Sequence, residues 1–209
     1  MSMTRPDTAD PRAARATVTP AAVRDTALTL FAERGYHGTA LSQIAAALGV
    51  RTPSLYNHMS SKHDLLDAIV TDTTEQVWAD YEAAVRDSTG PADALHRAVQ
   101  AYALRHAQHR REALIVSRDI ASLEPAAHER VLRLRRRHEH AIRSLIEDGV
   151  REGVFHVDTP SLASFGILEM CVSIARWFRE DGAVSAQEVA AQYGTYALRL
   201  AGHRGPETS

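Results

Sequence analysis

Apolar side chains in this sequence recur at three- and four-residue intervals over almost its whole length, and nowhere do they alternate long enough to line one face of a strand. Val23, Ala27, Leu30 and Phe31 form one stripe, and Leu41, Ile44, Ala45 and Leu48 a second. Leu65, Leu66, Ile69, Val77, Trp78, Tyr81 and Val85 form a longer one. Such spacing confines the chain to helices, so the expected fold class is all-α. Punctuation sets the helix ends. Thr19-Pro20 offers an N-cap with proline in the first turn, and Gly35 closes the first helix. Gly49 closes a short second helix, because a residue without Cβ tolerates positive φ. Thr52-Pro53 can cap and start a third helix running to about His58, and Ser60-Ser61-Lys62 opens a fourth reaching about Val85. Breaks at Asp87 to Pro91, Pro125, Gly149 to Thr159 and Asp181-Gly182 divide the rest into helices near 91–108, 110–122, 125–151, 160–179 and 185–202.

Charge divides the chain unevenly. Residues 1–62 hold seven basic and four acidic side chains, a local balance of +3, so the remainder carries −5 of the net −2. A basic start on an acidic body suits a nucleic-acid-reading module joined to a domain that does not touch nucleic acid. With 44% hydrophobic and 24% charged residues the chain can bury a sizeable core. The longest apolar stretch, Ile167 to Ala175, contains Glu169 and is too short to span a bilayer. Met1 to Val18 is polar, non-periodic and without a signal core, so a mobile arm and a cytoplasmic location are expected, with no membrane partner. Cys171 is the single cysteine, which excludes an internal disulfide framework. The expected division is an arm 1–18, a helix-turn-helix domain 19–66, a ligand-binding and dimerisation domain 67–204, and a tail 205–209.

The informative segment is Thr39 to Leu66. Two short helices joined by a glycine-containing turn, behind a longer amphipathic helix, follow the helix-turn-helix plan. Small and polar side chains on the third helix suit a major groove, with Leu55 turned back to the core. Phe31-Ala-Glu-Arg-Gly-Tyr-His-Gly-Thr-Ala-Leu-Ser-Gln-Ile-Ala-Ala-Ala-Leu-Gly-Val, then Ser54-Leu-Tyr-Asn-His and Ser61-Lys-His-Asp-Leu-Leu, resembles the TetR-family DNA-binding domain over about residues 19–70. The resemblance implies phosphate contacts from Thr39, Tyr56, His58 and Lys62. It implies base reading by Arg51, Thr52, Pro53 and Asn57, where Pro53 departs from the commoner small residue. Double-stranded operator DNA is then the partner, and Arg12 and Arg15 of the arm are candidates for its minor groove.

For the body, the resemblance implies a four-helix interface between two copies. It would be built from Phe165, Leu168, Val172 and Ala175 on one helix and Val189, Tyr193, Tyr196 and Leu200 on the next. These stripes could equally cover the body's own core. Leu145 to Asp158 and Ile174 to Val189 resemble the subgroup of TetR regulators that control fatty-acid and sterol catabolism and respond to acyl-CoA thioesters. That likeness implies a repressor released by a small effector, an acyl-CoA thioester by the subgroup's habit, in a pocket with candidate lining residues Trp78, Tyr102, Arg118, Met170, Cys171 and Trp177. An unrelated apolar or aromatic effector is the alternative. Arg130, Arg133 and Arg137 share a helical face that could receive CoA phosphates, but a solvated face paired with Glu129 and Glu139 is the ordinary reading.

The rival class is an all-α metal protein or enzyme. No GxxxxGK loop, GxSxG elbow or HExxH pair occurs. His106 with His109, and His138 with His140, have metal-compatible spacing without a supporting carboxylate. Neither catalysis nor a cofactor or metal is expected.

Overall fold

The computed structural model describes residues 18–204, so Arg12, Arg15 and the expected tail 205–209 lie outside the described residues. Among those described, the chain forms α1 (Pro20–Arg34), α2 (Leu41–Ala47), α3 (Thr52–Leu55), α4 (Lys62–Val85) and α5 (Pro91–Gln108). Then come α6 (Arg110–Asp119) with a 3₁₀ turn (Ile120–Ser122), α7 (Pro125–Arg151), α8 (Pro160–Trp177) and α9 (Ala186–Leu200), and no strand. The fold is all-α, as the periodicity requires.

The caps explain where helices start. Thr19 Oγ1 accepts the Ala22 N–H at 3.2 Å and Ser61 Oγ the Asp64 N–H at 3.0 Å. Ser185 and Glu188 exchange two such bonds, at 3.2 and 2.8 Å, in a capping box. Each cap is worth ~1 kcal/mol. The third helix departs from expectation. Arg51 occupies the cap without a side-chain bond, Thr52 is already helical, and regular helix stops at Leu55. The His58 N–H then bonds Leu55 O at 2.8 Å, so the recognition segment continues as tight turns. The helix expected over 110–122 likewise tightens into its 3₁₀ turn, and α8 ends at Trp177, ahead of the Asp181-Gly182 turn.

Two cores result. In the head, Val23, Ala27, Phe31, Ile44, Leu55, Leu66 and Ile69 are buried, and Ile115 of α6 and Val131 of α7 complete the cluster. The body buries Leu95, Ile142, Ile146, Phe155, Ile167 and Ile174. Each such Leu or Ile contributes roughly 1.5–3 kcal/mol. A Cβ on Gly149 would lie 2.1 Å from the Phe155 ring, so only glycine lets that ring close against α7. Val189, expected at a subunit interface, is buried in the body core because α9 turns that face toward α5 and α8.

Candidate nucleic-acid interface and buried cavity

Gly49, at φ +68, turns α2 into the recognition segment, and the Val50 N–H bonds buried Ala45 O at 3.0 Å. Ile44 and Leu55 are fully buried and fix α3 against α2 and α1. Outward from this base, Arg51, Pro53, Tyr56 and Asn57 are exposed, and Thr52 and His58 are half-buried. Tyr56 is 56% exposed, a large ring the fold leaves in solvent beside polar neighbours. Lys62 opens α4, its ammonium 4.1 Å from the Tyr36 ring centroid, and burial lowers its pKa. The cation and the free N–H groups of that helix start favour an anion there. Thr39 does not join this surface. Its side chain is fully buried, with Oγ1 2.9 Å from Gly35 O and 3.1 Å from Leu30 O. It fastens the end of α1, which removes its hydroxyl from any contact with DNA.

Behind the head lies a cavity of about 80 Å3. Thr73, Thr74 and Val77 of α4 form one wall, and Ala113, Val116 and Ser117 of α6 another. Tyr102, Arg105 and His106 of α5, His109 just beyond it, Arg135 and His138 of α7, and Leu168 and Val172 of α8 complete it. Arg105 is paired with Asp80, whereas Arg135 is exposed at the mouth. His106 and His138 are buried, and burial pushes each imidazole down to about 4. Burial also raises the Tyr102 phenol.

Of the six residues expected to line a pocket, only Tyr102 does so. Trp78 stacks 3.8 Å beneath the Arg137 guanidinium, and Cys171 is sealed in the body core. Met170 packs against that core, while Trp177 is 48% exposed and faces Tyr193, with ring centroids 6.4 Å apart. Leu168 and Val172, expected at an interface, turn to the cavity instead. The outward and inward faces of α8 lie less than one helical step apart, which an apolar stripe alone does not separate. Leu162, Phe165, Trp177, Tyr196 and Leu200 form the exposed apolar face of α8 and α9, with Tyr193 half-buried beside them.

Spacing along the chain singled out His106 with His109, and both line the cavity, but it did not join them to His138, which lines it too. His106 and His138 both line the cavity and pack on Tyr102, the first edge-on and the second tilted, with centroids 4.3 and 4.8 Å away. A signal existed, since His138 lies on the stripe Val131, His138, Ile142, Ile146, where every other member is buried and apolar. No group of three or more His, Cys, Asp or Glu gathers at metal-binding distance among the described residues. Of the basic face on α7, Arg130 pairs with Asp67 at 2.6 Å, Arg133 and Arg136 with Glu129, and Arg137 with Glu82.

Helix α6 joins cavity to head. Arg111 bonds Thr29 Oγ1 at 2.8 Å and Asp25 at 3.1 Å. Arg118, one residue past the cavity wall, turns away from it: Nη1 bonds Ala32 O at 3.2 Å and Nη2 bonds Phe31 O. Buried Asp119 steadies the guanidinium at 2.9 Å. Arg118 thus satisfies the last carbonyls of α1 and complements its dipole.

This two-part geometry has close counterparts. Residues 23–69 match the bacterial regulatory proteins of the tetR family, and residues 88–201 match the tetracyclin repressor-like C-terminal domain. The HTH-type transcriptional repressor KstR2 of Rhodococcus jostii strain RHA1 is 32% identical over 189 residues, covering 83% of this chain and 86% of its own. A tetR-family regulatory protein from Rhodococcus RHA1 superposes with a TM-score of 0.81 at 30% identity, over 89% of this chain and 98% of that one. The fold is also that of AibR, solved with isovaleryl coenzyme A and operator DNA, at TM-score 0.77, 22% identity, and 88% and 99% coverage. A helix-turn-helix head, a helical body and near end-to-end similarity to such proteins place the chain in the TetR family of bacterial regulatory proteins.

Proposed function

We propose that the chain is a homodimeric transcriptional repressor whose grip on operator DNA is released by a small effector entering the cavity, with acyl-CoA thioesters as the favoured class. One observation carries the release mechanism. Ser117 walls the cavity, and the next residue, Arg118, holds the end of α1. The second wall, α4, begins at Lys62 beside the recognition segment. An effector larger than the closed cavity must displace a wall, and either wall carries a head with it. Arg51, Thr52, Pro53 and Asn57 then read base edges, while Tyr56, His58 and Lys62 hold phosphates. The exposed face of Phe165, Tyr196 and Leu200, widened by Leu162 and Trp177, pairs two copies so that their heads meet successive half-sites.

The effector class draws on two relatives. KstR2 is named a repressor, and AibR was solved holding a CoA thioester and DNA together. Arg135 at the mouth offers a cation for phosphate oxygens, while the interior is too confined for a nucleotide. Fluorescence anisotropy on the DNA flanking the protein's own gene, titrated with acyl-CoA thioesters of increasing size, tests the reading. Binding in the nanomolar to tens-of-nanomolar range is expected, with release by at least one thioester and not by free coenzyme A. Binding of the DNA with no response to any thioester would overturn the effector class, and failure to bind any flanking DNA would overturn the operator reading.

A further inference from the structure

The cavity is polar in a specific sense. Thr73 Oγ1 donates its hydrogen to Ile69 O at 2.6 Å, and Thr74 Oγ1 donates to Val70 O at 2.7 Å, so both hydroxyls can only accept. His106 Nδ1 lies 2.8 Å from Tyr102 O, and a carbonyl can only accept, so Nδ1 carries the proton and Nε2 presents a lone pair. His138 is 5% exposed and lines the same cavity, yet neither of its ring nitrogens has a hydrogen-bond partner among the described residues. A neutral imidazole offers one donor and one acceptor. Both histidines are held neutral by burial, with Arg105 further disfavouring protonation of His106. Buried polar groups are almost always paired, so the cavity is an arrangement waiting for a partner.

We propose that His138, with His106, reads an uncharged hydroxyl on the acyl portion of the effector. The inference rests on the cavity being the effector site. A hydroxyl is the small group that both accepts and donates: its oxygen takes the His138 N–H and its hydrogen goes to a ring nitrogen or threonine oxygen on the facing wall. A ketone can satisfy only the one donor. A carboxylate brings charge and no hydrogen into a site rich in acceptors. An alkyl group leaves every partner unpaired. About 80 Å3 favours a short branched chain over a ring system. The reading group is therefore a hydroxyl a few bonds beyond the thioester, with the nucleotide left at the Arg135 mouth.

The test is a shape-matched pair, 3-hydroxy-3-methylbutyryl-CoA against 3,3-dimethylbutyryl-CoA, which differ by a hydroxyl in place of a methyl. An ordinary apolar pocket binds the dimethylbutyryl thioester more tightly, because the hydroxyl must be desolvated. A site built to pair that hydroxyl reverses the order. Calorimetry on the full-length protein should show the hydroxyacyl thioester favoured at least tenfold, a floor well below the roughly 10⁴-fold reached by sites built around a substrate hydroxyl. His138→Leu should abolish or invert the preference, and His138→Gln, which keeps a donor and an acceptor, should retain most of it. If wild-type protein binds both thioesters but prefers the dimethylbutyryl one, the His138 assignment is overturned and the cavity remains the effector site. If it binds neither, the His138 assignment is overturned, while the effector reading stands or falls on the wider thioester series. If His138→Leu keeps the preference, another group reads the hydroxyl and the assignment is wrong.

Discussion

The helix-turn-helix head and the cavity behind it present their side chains in opposite ways. The head turns its side chains outward from a base of fully buried residues: Ile44 and Leu55 lie beneath Tyr56 and Asn57, all within one short stretch of chain. The cavity turns its side chains inward, and they arrive from five helices, from Thr73 to Val172. A surface made by one local motif is fixed by turn chemistry and a few anchors. An enclosed site is fixed only when distant helices have packed, so its membership depends on angles no single segment specifies. The two regions are nonetheless one folding unit at their junction, because Ile115 and Val131 of the body complete the head's core.

That shared core makes the largest testable effect. Phe31 is fully buried between the head and α6, so Phe31→Ala should cost ~3–5 kcal/mol. If head and body share a core, denaturant unfolding should shift as a single transition followed by both tryptophan fluorescence (Trp78 and Trp177) and far-ultraviolet ellipticity. A separate early transition of the head, with the body unmoved, would break the picture of a continuous core.

Much of the head was legible and little of the cavity was, for reasons visible in particular residues. Gly49, Leu55 and Ser61 specify turn, anchor and cap through interactions within a few residues, so their roles follow from order along the chain. Thr39 was misjudged in the head because its hydroxyl is spent on Leu30 and Gly35, a tertiary commitment that a motif match does not reveal. In the body, Arg118 was expected in a pocket because the family likeness put a pocket along its helix. Its long side chain instead reaches across to α1. Leu168 and Val172 are separated from outward-facing Phe165 by a small rotation about the α8 axis, and only contact with α6 and α7 decides which way they point. His106 and His138 lie on buried faces of their own helices, but their meeting is set by how α5 packs on α7.

A second effect tests how the exposed face of α8 and α9 serves the head. Phe165 is 54% exposed on a helix whose opposite face is core, so Phe165→Glu should leave the protomer folded. If this face joins two copies, the variant should run as a monomer in light scattering and lose about 10²–10⁴-fold in operator affinity, since each head then binds alone. A variant that remains dimeric places the interface elsewhere.

Within the head, two substitutions should separate reading from holding. Asn57→Ala should cost ~1–3 kcal/mol at the operator and relax preference at one base pair. Lys62→Ala should weaken all DNA alike and lower the slope of log affinity against log salt by about one. A uniform loss in Asn57→Ala, or an unchanged slope in Lys62→Ala, would reverse the respective assignment. The clasp between the regions should show in neither. Arg118→Met removes the bonds to Phe31 and Ala32 while keeping an apolar stem, so effector binding should survive. What should fall is the coupling, the ratio of effector affinities with and without operator, which is ordinarily ~1–3 kcal/mol. An undiminished ratio would assign transmission to α4 alone.

The smallest effect separates the two regions by pH. The head keeps His37 and His63 exposed and His58 half-exposed, whereas the body buries His106 and His138. Burial holds these two near 4, below the ordinary 6.5, so the folded protein binds fewer protons than the unfolded chain. Their neutral forms therefore support stability fully above about pH 6.5, and that support is lost as pH falls toward 4. Between pH 7 and 6 the loss should be under about 1 kcal/mol for each histidine, steepening toward about 1.4 kcal/mol per unit below that. Denaturant midpoints at pH 7, 6 and 5 check this, with His106→Gln and His138→Gln each expected to flatten the slope by a similar amount. A slope unchanged in both variants would locate the acid sensitivity outside the cavity and would mean that these imidazoles are not buried in the neutral state. A slope flattened by only one of them would identify which ring remains sealed when the cavity breathes.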